Sequence, residues 1–326
     1  MSAIRINAHV LKTTHLLSNS FRSNSLLSKR SFAVTKSRNM KYVQFTTAGS
    51  DTRVGILNGN DVIDINYADP KLPSTLLELL KTPDFENRVG LLLKKNPKSL
   101  PLQCVTLKTP IHGVDKILCV ALNYADHCKE QSLKQPEIPI IFSKFASTII
   151  GPSEAVKIRT KLVKKVDWEV ELAVIIGKTA SSVSADEANN YIFGYTVAQD
   201  ISARDWQKEK NGGQFLLGKS QDTFCPIGPC IVTAGEIGDP HKLDICCSVN
   251  DVCKQTSNTC NLIHTIPKVI ERISGVMTLY PGDIILTGTP GGVGLHRSPP
   301  EFLKPGDVIS STIQNIGEFS VTVEEF

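Results

Sequence analysis

What this 326-residue chain lacks narrows the field first. No apolar run approaches the roughly 18–20 residues that a membrane span needs, so no membrane partner is expected. Nine cysteines are scattered without a Cys-x-x-Cys pair, which leaves no zinc or dithiol motif. They read instead as mostly small buried hydrophobes in a reducing compartment. Acid is missing from the start of the chain: the first carboxylate is Asp51, whereas residues 1–39 carry Arg5, Lys12, Arg22, Lys29, Arg30, Lys36 and Arg38. Without that head the balance is 29 basic to 32 acidic residues, a net charge of −3 in place of +4. The body therefore has none of the basic excess that a nucleic-acid partner requires.

What is present fits a folded protein. Apolar content is 41% and charged content 21%, in a chain long enough for one large or two modest domains. The basic, Ser-rich head with interspersed leucines has the composition of a mitochondrial transit peptide, and a mitochondrial matrix location follows as the expectation. KYVQFTTAG and TRVGILNGNDVIDIN read as short strands. Helices are expected near STLLELLKT and VGLLLKKN, and Pro97 to Gly113 reads as a linker. These features place a small N-terminal α+β domain at 40–110 and a strand-rich catalytic domain at 111–326. SADE at 184–187 has capping-box spacing, with Ser184 opening a helix. PGDIILTG and PGDVISST each suggest a type II turn that leads into a strand.

One stretch poses a chemical question. In VDWEVELAVIIGK, residues 166–178, a period of two puts Val166, Trp168, Val170, Leu172, Val174 and Ile176 on one face and Asp167, Glu169 and Glu171 on the other. Adjacent carboxylates resist burial unless a cation compensates. Glu169 and Glu171 start about 7 Å apart at the backbone, and flexible side chains can close on one ion. Asp200, which ends the apolar strand YIFGYTVAQD, is the natural third carboxylate. All-oxygen ligands suit Mg²⁺, with Ca²⁺ or Mn²⁺ as alternatives.

VDWEVELAVIIG, TVAQDISARDWQ, LLGKSQDTFCPIGP and YPGDIILTGTPGGVG occur in that order across residues 113–326, and together they resemble the fumarylacetoacetate hydrolase family. The resemblance implies a mixed β-sandwich roll, a homodimer, and a divalent metal on Glu169, Glu171 and Asp200. It implies an acid/base pair in His127 and Glu130, which stand three apart in NYADHCKE. Arg204 and Gln207, also three apart, suit a substrate carboxylate. Lys219 would stabilise enolate charge and Thr289 would bond the substrate. Where relatives have a glycine before the Asn-Tyr segment, this chain has Ala121, which would be strained if that position needed a positive φ. GQFLLGKS at 213–220 also satisfies the phosphate-loop pattern. Bulky Phe215, Leu216 and Leu217 and the polar KEKNGG before it argue against nucleotide binding.

The parts point to a metal-dependent enzyme that acts on a small 2-oxo acid through an enolate. The resemblance favours keto–enol tautomerisation of oxaloacetate in mitochondria. The alternatives are acylpyruvate-type C–C hydrolysis, oxaloacetate decarboxylation, and a non-catalytic dimeric scaffold with a structural metal.

Overall fold

A computed structural model describes residues 40–49 and 51–326. The expected transit peptide, 1–39, lies outside the described residues. The chain begins with β1 (Lys41–Thr46), β2 (Arg53–Asn58) and β3 (Asp61–Asp64), followed by helices α1 (Ile65–Ala68), α2 (Leu76–Leu80) and α3 (Phe85–Leu93). Asp64 and Thr75 cap α1 and α2 by accepting the backbone N–H groups of Tyr67 and Glu78. The stretch expected as a linker holds β4 (Ser99–Pro101) and β5 (Thr106–Lys108), which pair with β3 and β1. Both are edge strands three residues long, too short to show any hydrophobic period.

Then come β6 (Ile117–Ala121), α4 (Ala125–Glu130), β7 (Ile140–Lys144), β8 (Ile149–Ile150) and β9 (Val156–Ile158). The acidic stretch forms β10 (Val166–Asp167) and β11 (Val170–Ile176). Beyond it lie β12 (Ile192–Gln199), β13 (Ser202–Ala203), α5 (Arg204–Lys208), α6 (Leu216–Lys219), β14 (Cys225–Thr233) and α7 (Ala234–Ile237). The chain closes with β15 (Asp244–Val249), β16 (Val252–Asn258), α8 (Ile266–Ser274), β17 (Ile284–Leu286), β18 (Val308–Ile313) and β19 (Gly317–Glu325). Among the described residues no helix is long and apolar enough to cross a membrane.

The largest sheet runs β4-β3-β2-β1-β14-β12-β11-β17-β6-β7, and a five-stranded sheet runs β16-β15-β18-β19-β9. The result is strand-rich and mixed, as expected. Strand β1 joins β14 with Lys41 opposite Val232, so the N-terminal strands extend the same sheet as the C-terminal ones. Two cores flank it. Leu172, Val174 and Ile176 pack with Ile245, Ile309 and Val321 of the smaller sheet. Ala173 and Ile175 pack with Leu76, Leu79 and Val89 of the N-terminal helices. The period of two in β11 is thus real, but both faces are buried, as in a central strand between two layers.

Two local expectations resolve differently. Ser184–Glu187 forms a turn in which Ser184 Oγ donates to Glu187 Oε2 at 3.0 Å, and only a short 3₁₀ segment, Ala188–Tyr191, follows. The capping-box spacing fits a local turn as readily as a helix start. Both Pro-Gly turns appear as read: Asp283 N–H donates to Tyr280 O, Asp307 N–H donates to Lys304 O, and Gly282 and Gly306 have φ of 94° and 95°. Of the nine cysteines, five are buried; Cys104, Cys253 and Cys260 are exposed and Cys246 is half-buried.

Strand directions position the site. β11 runs antiparallel to β12 and β17, whereas β17 and β6 are parallel. The N-terminal end of β11 therefore meets the C-terminal ends of β12, β17 and β6. Glu169 and Glu171, Asp200, the loop after Leu286 and helix α4 all leave the sheet at that one end.

Candidate metal centre

Glu169, Glu171 and Asp200 converge as expected: all are buried, and one oxygen from each lies within 4.8 Å of the others. Register explains this. Val170 pairs with Gln199, and Asp200 N–H donates to Glu169 O at 2.8 Å, so the residue just after β12 is clamped beside the residue just before β11.

Three cations hold the acids in place. Lys219 Nζ donates to Glu169 Oε2 and Asp200 Oδ2, both at 2.7 Å. Lys144 Nζ donates to Asp200 Oδ1 at 2.8 Å and to the carbonyls of Ile201 and Lys219. Arg204 Nε donates to Asp167 Oδ2 at 2.8 Å and its Nη1 to Gln207 Oε1 at 3.0 Å. Its Nη2 lies 2.7 Å from Glu169 Oε1 as an ion pair, yet that buried nitrogen has no well-directed hydrogen bond among the described residues. Asp167 serves as an organiser: besides Arg204 it accepts the backbone N–H groups of Trp168, Gly294 and Leu295.

The two glutamates titrate in opposite directions. Burial alone would raise the Glu169 carboxyl, but the charges of Lys219 and Arg204 bring it down to about 2. Burial, then the charges of Asp200 and Glu169, push the Glu171 carboxyl well above the usual range. One Glu171 oxygen accepts the Gly288 N–H at 2.6 Å, and the other has no hydrogen bond among the described residues. Burial pulls the Lys219 ammonium down, but Asp200 and Glu169 more than offset it and the group is raised. Four carboxylates thus face three cations, which leaves one excess negative charge when all are ionised. The donor set is all oxygen, anion-rich and includes an uncompensated carboxylate, so the residues fit a hard divalent cation.

A cavity of about 270 Å³ opens above the trio, lined by Glu169, Glu171, Lys219, Arg204, Gln207 and Thr289. His127 lines it too, from α4. Its Nδ1 and Glu130 Oε2 are 3.0 Å apart, and Glu130 Oε1 accepts the Gly292 N–H at 2.9 Å. An ionised carboxylate only accepts, so the network assigns the proton to Nδ1 and leaves the Nε2 lone pair for Gln131 Nε2, 2.8 Å away. Burial raises the Glu130 carboxyl, but the His127 bond and the Gly292 N–H outweigh it and the group is lowered. Thr289 Oγ1 donates to Val170 O at 3.0 Å and accepts from Gln255 Nε2 at 2.8 Å.

All nine residues singled out in the sequence thus belong to one constellation, although Asp200 and Glu130 stand behind the cavity wall. Sequence reasoning gave no role to Lys144, Gln131, Gln255, Lys208 or His296. Lys144 left a trace, a lone lysine in the apolar strand PIIFSKF; the others left none. Lys219 of the phosphate-loop pattern is buried between two carboxylates, where no phosphate would be tolerated. Ala121 ends β6 in ordinary extended backbone. The positive φ falls one residue later, at Leu122 with 53°, so the strain foreseen for Ala121 does not arise there.

A strand-rich fold that sets an acid trio, three neutralising cations and a histidine–glutamate pair beside a small cavity makes this end of the sheet a candidate metal centre. Residues 116–324 match the family described as fumarylacetoacetate (FAA) hydrolase C-terminal, and the chain belongs to that family. It is similar to the Bos taurus protein named oxaloacetate tautomerase FAHD2A, mitochondrial, at 47% identity over 285 residues, covering 86% of this chain and 90% of the other. Among solved structures, fumarylacetoacetate hydrolase from Exiguobacterium antarcticum aligns with a TM-score of 0.77 at 33% identity over 88% of this chain and all of the other. Maleylpyruvate hydrolase from Sphingobium sp. SYK-6, in complex with manganese(II) and pyruvate, aligns with a TM-score of 0.72 at 34% identity over 88% and 99%. The chain is an enzyme, which sets aside the scaffold alternative.

Proposed function

We propose that this enzyme interconverts the keto and enol forms of oxaloacetate in the mitochondrial matrix, as a homodimer, with a divalent cation on Glu169, Glu171 and Asp200. Mg²⁺ is the first choice, with Ca²⁺ or Mn²⁺ as alternatives. One observation carries the reading: three carboxylates within 4.8 Å of one another lie under a cavity whose wall holds a histidine–glutamate pair. The names of the curated relatives support both the reaction and the compartment. The manganese and pyruvate in the maleylpyruvate hydrolase complex support a divalent ion and a 2-oxo acid.

A divalent cation at the trio would supply Lewis acidity, polarising a 2-oxo group and lowering the cost of enolate charge. The chain's own groups do the rest. Arg204, whose Nη2 lacks a directed partner, and Gln207 anchor the carboxylate beside the 2-oxo group. The Lys219 ammonium, kept charged by Asp200 and Glu169, offsets negative charge growing on the enol oxygen. Because the Thr289 hydroxyl already donates to Val170 and accepts from Gln255, it offers substrate only its remaining lone pair. His127 Nε2, once Gln131 yields it, takes the proton from C3 of the keto form. Glu130 stabilises the imidazolium that results. The imidazolium then gives that proton to the enolate oxygen, which completes the enol and restores neutral His127; in the reverse direction Nε2 takes the enol O–H proton and returns it to C3.

Acylpyruvate-type C–C hydrolysis is the second reading, favoured by the same pair, which can deprotonate a water, and by the maleylpyruvate hydrolase likeness. The test follows the decay of oxaloacetate enol absorbance with Mg²⁺ and with EDTA. Acceleration with Mg²⁺ alone is expected, and His127→Asn lowers kcat by about 10²–10⁴-fold. A decay unchanged by the enzyme in both buffers overturns the proposal. Pyruvate release from acylpyruvates would then mark hydrolysis, and CO₂ release from oxaloacetate would mark decarboxylation.

A further inference from the structure

The cations nearest the acid trio are already committed. Lys219 and Lys144 are bound to Glu169 and Asp200, and Arg204 is turned to Asp167, Gln207 and Glu169. Two further basic side chains line the same cavity without any such commitment: Lys208, at the end of α5, and His296, which closes the short 3₁₀ turn Gly294–His296. Neither side chain has an ion pair or hydrogen bond among the described residues. The His296 ring stands at 64° to the His127 ring, with centroids 6.2 Å apart. The acids nearest Lys208 in sequence go elsewhere: Asp205 pairs with Lys210 at 2.8 Å and Glu209 with Lys165 at 2.7 Å.

Both residues are exposed, so they sit where the cavity meets solvent, while the buried Glu169 and Glu171 line its floor with Asp200 behind them. Burial, then the charge of Arg204, pulls the Lys208 ammonium down, with Glu169 and Asp167 opposing. Burial, then the charge of Lys208, pulls the His296 imidazolium down, with Glu130 opposing. Mutual repulsion of this kind does nothing for folding and is relieved by an anion. The charge count agrees. Four carboxylates and three cations leave the floor at −1, and a divalent ion brings it to +1. A dianionic ligand still exceeds that by one negative charge, which a cation at the mouth would match.

We propose that Lys208 and His296 form a second anion subsite, which receives the distal carboxylate of a dicarboxylic 2-oxo acid and selects it over monocarboxylic ones. The proposal rests on the reading of this cavity as a 2-oxo acid site.

The test is calorimetric titration of the Mg²⁺-loaded enzyme with malate and with lactate, 2-hydroxy acids that differ by one carboxylate, and with oxalate as a probe of the floor alone. Wild type is expected to bind malate about tenfold or more tighter than lactate. In the double variant Lys208→Gln/His296→Gln that preference disappears, while lactate and oxalate hold within about twofold. Retained oxalate binding shows that the variant is folded. Lys208→Glu turns the preference against malate. Equal binding of malate and lactate by wild type overturns the proposal, as does a preference that survives in the double variant. Failure of the tautomerase assay with the malate preference intact would remove the proposed reaction and keep the subsite. Tautomerase activity without the preference would do the reverse, and failure to bind even oxalate would overturn the cavity reading and the subsite together.

Discussion

Lys144→Met isolates the counter-charge that the fold supplies to Asp200. Both side chains are fully buried, and Lys144 Nζ donates to Asp200 Oδ1 at 2.8 Å as well as to two backbone carbonyls. Methionine keeps the length and the apolar stem but removes the charge and every donor. Breaking a buried pair by deleting one partner costs about 3–5 kcal/mol, because the remaining charge loses its compensation. At about 2 °C per kcal/mol for a chain of this size, the melting temperature in EDTA falls by roughly 6–10 °C. With all four acids ionised, as a bound cation requires, the floor of the site also passes from one excess negative charge to two. Added Mg²⁺ is therefore expected to stabilise the variant more than wild type, and the gap between the two melting curves should narrow. The assay is thermal unfolding of both proteins in EDTA and across a magnesium titration. A variant that melts within about 1 °C of wild type in EDTA refutes the claim that Lys144 compensates Asp200. A gap that widens with magnesium refutes the claim that the ion and the lysine neutralise the same carboxylates.

Three further outcomes are expected. Glu171→Gln keeps an acceptor for the Gly288 N–H and mimics the protonated acid, so the metal-free protein melts at or above the wild-type temperature while magnesium affinity and turnover are lost; a strong loss of stability would contradict the raised Glu171 carboxyl. Because that carboxyl is raised in the fold, its contribution is fully present below pH 4.5 and declines as pH rises toward the folded value, and a cation takes the proton's place. Magnesium should therefore tighten with pH and release protons on binding, which calorimetry in buffers of different ionisation enthalpy would detect. Asp167→Asn loses acceptance from Arg204 and from part of a cluster of three backbone N–H groups, at a cost of about 2–4 kcal/mol in chemical denaturation, and it loosens Arg204 enough to raise KM.

Several of these groups are legible in the order of residues alone. Two acids at i and i+2 of extended chain share a face, which is how Glu169, just ahead of β11, and Glu171, within it, were legible as a pair. His127 and Glu130 meet because residues three apart on a helix are neighbours. Both Pro-Gly turns followed from the φ values that these residues prefer. The mixed strand-rich architecture came through the ordered motifs rather than through periodicity. Spacing in fact misled at Ser184, where a capping-box pattern produced only a turn, and periodicity was silent at β4 and β5, which are too short to carry one.

Local chemistry along the chain therefore determined which residues could ligate an ion, which could trade a proton and which turns would form. Only the tertiary structure decided how the charges balance. Lys144 is 56 positions from Asp200 and Lys219 is 50 from Glu169. No spacing rule connects such pairs; the antiparallel register of β11 and β12 and the return of β7 and α6 do. The opposite titrations of Glu169 and Glu171 have the same origin, since two glutamates two positions apart differ in what the rest of the fold brings against them. Electrostatic energy depends on distance in space and on exclusion of water, and neither is written in the order of residues.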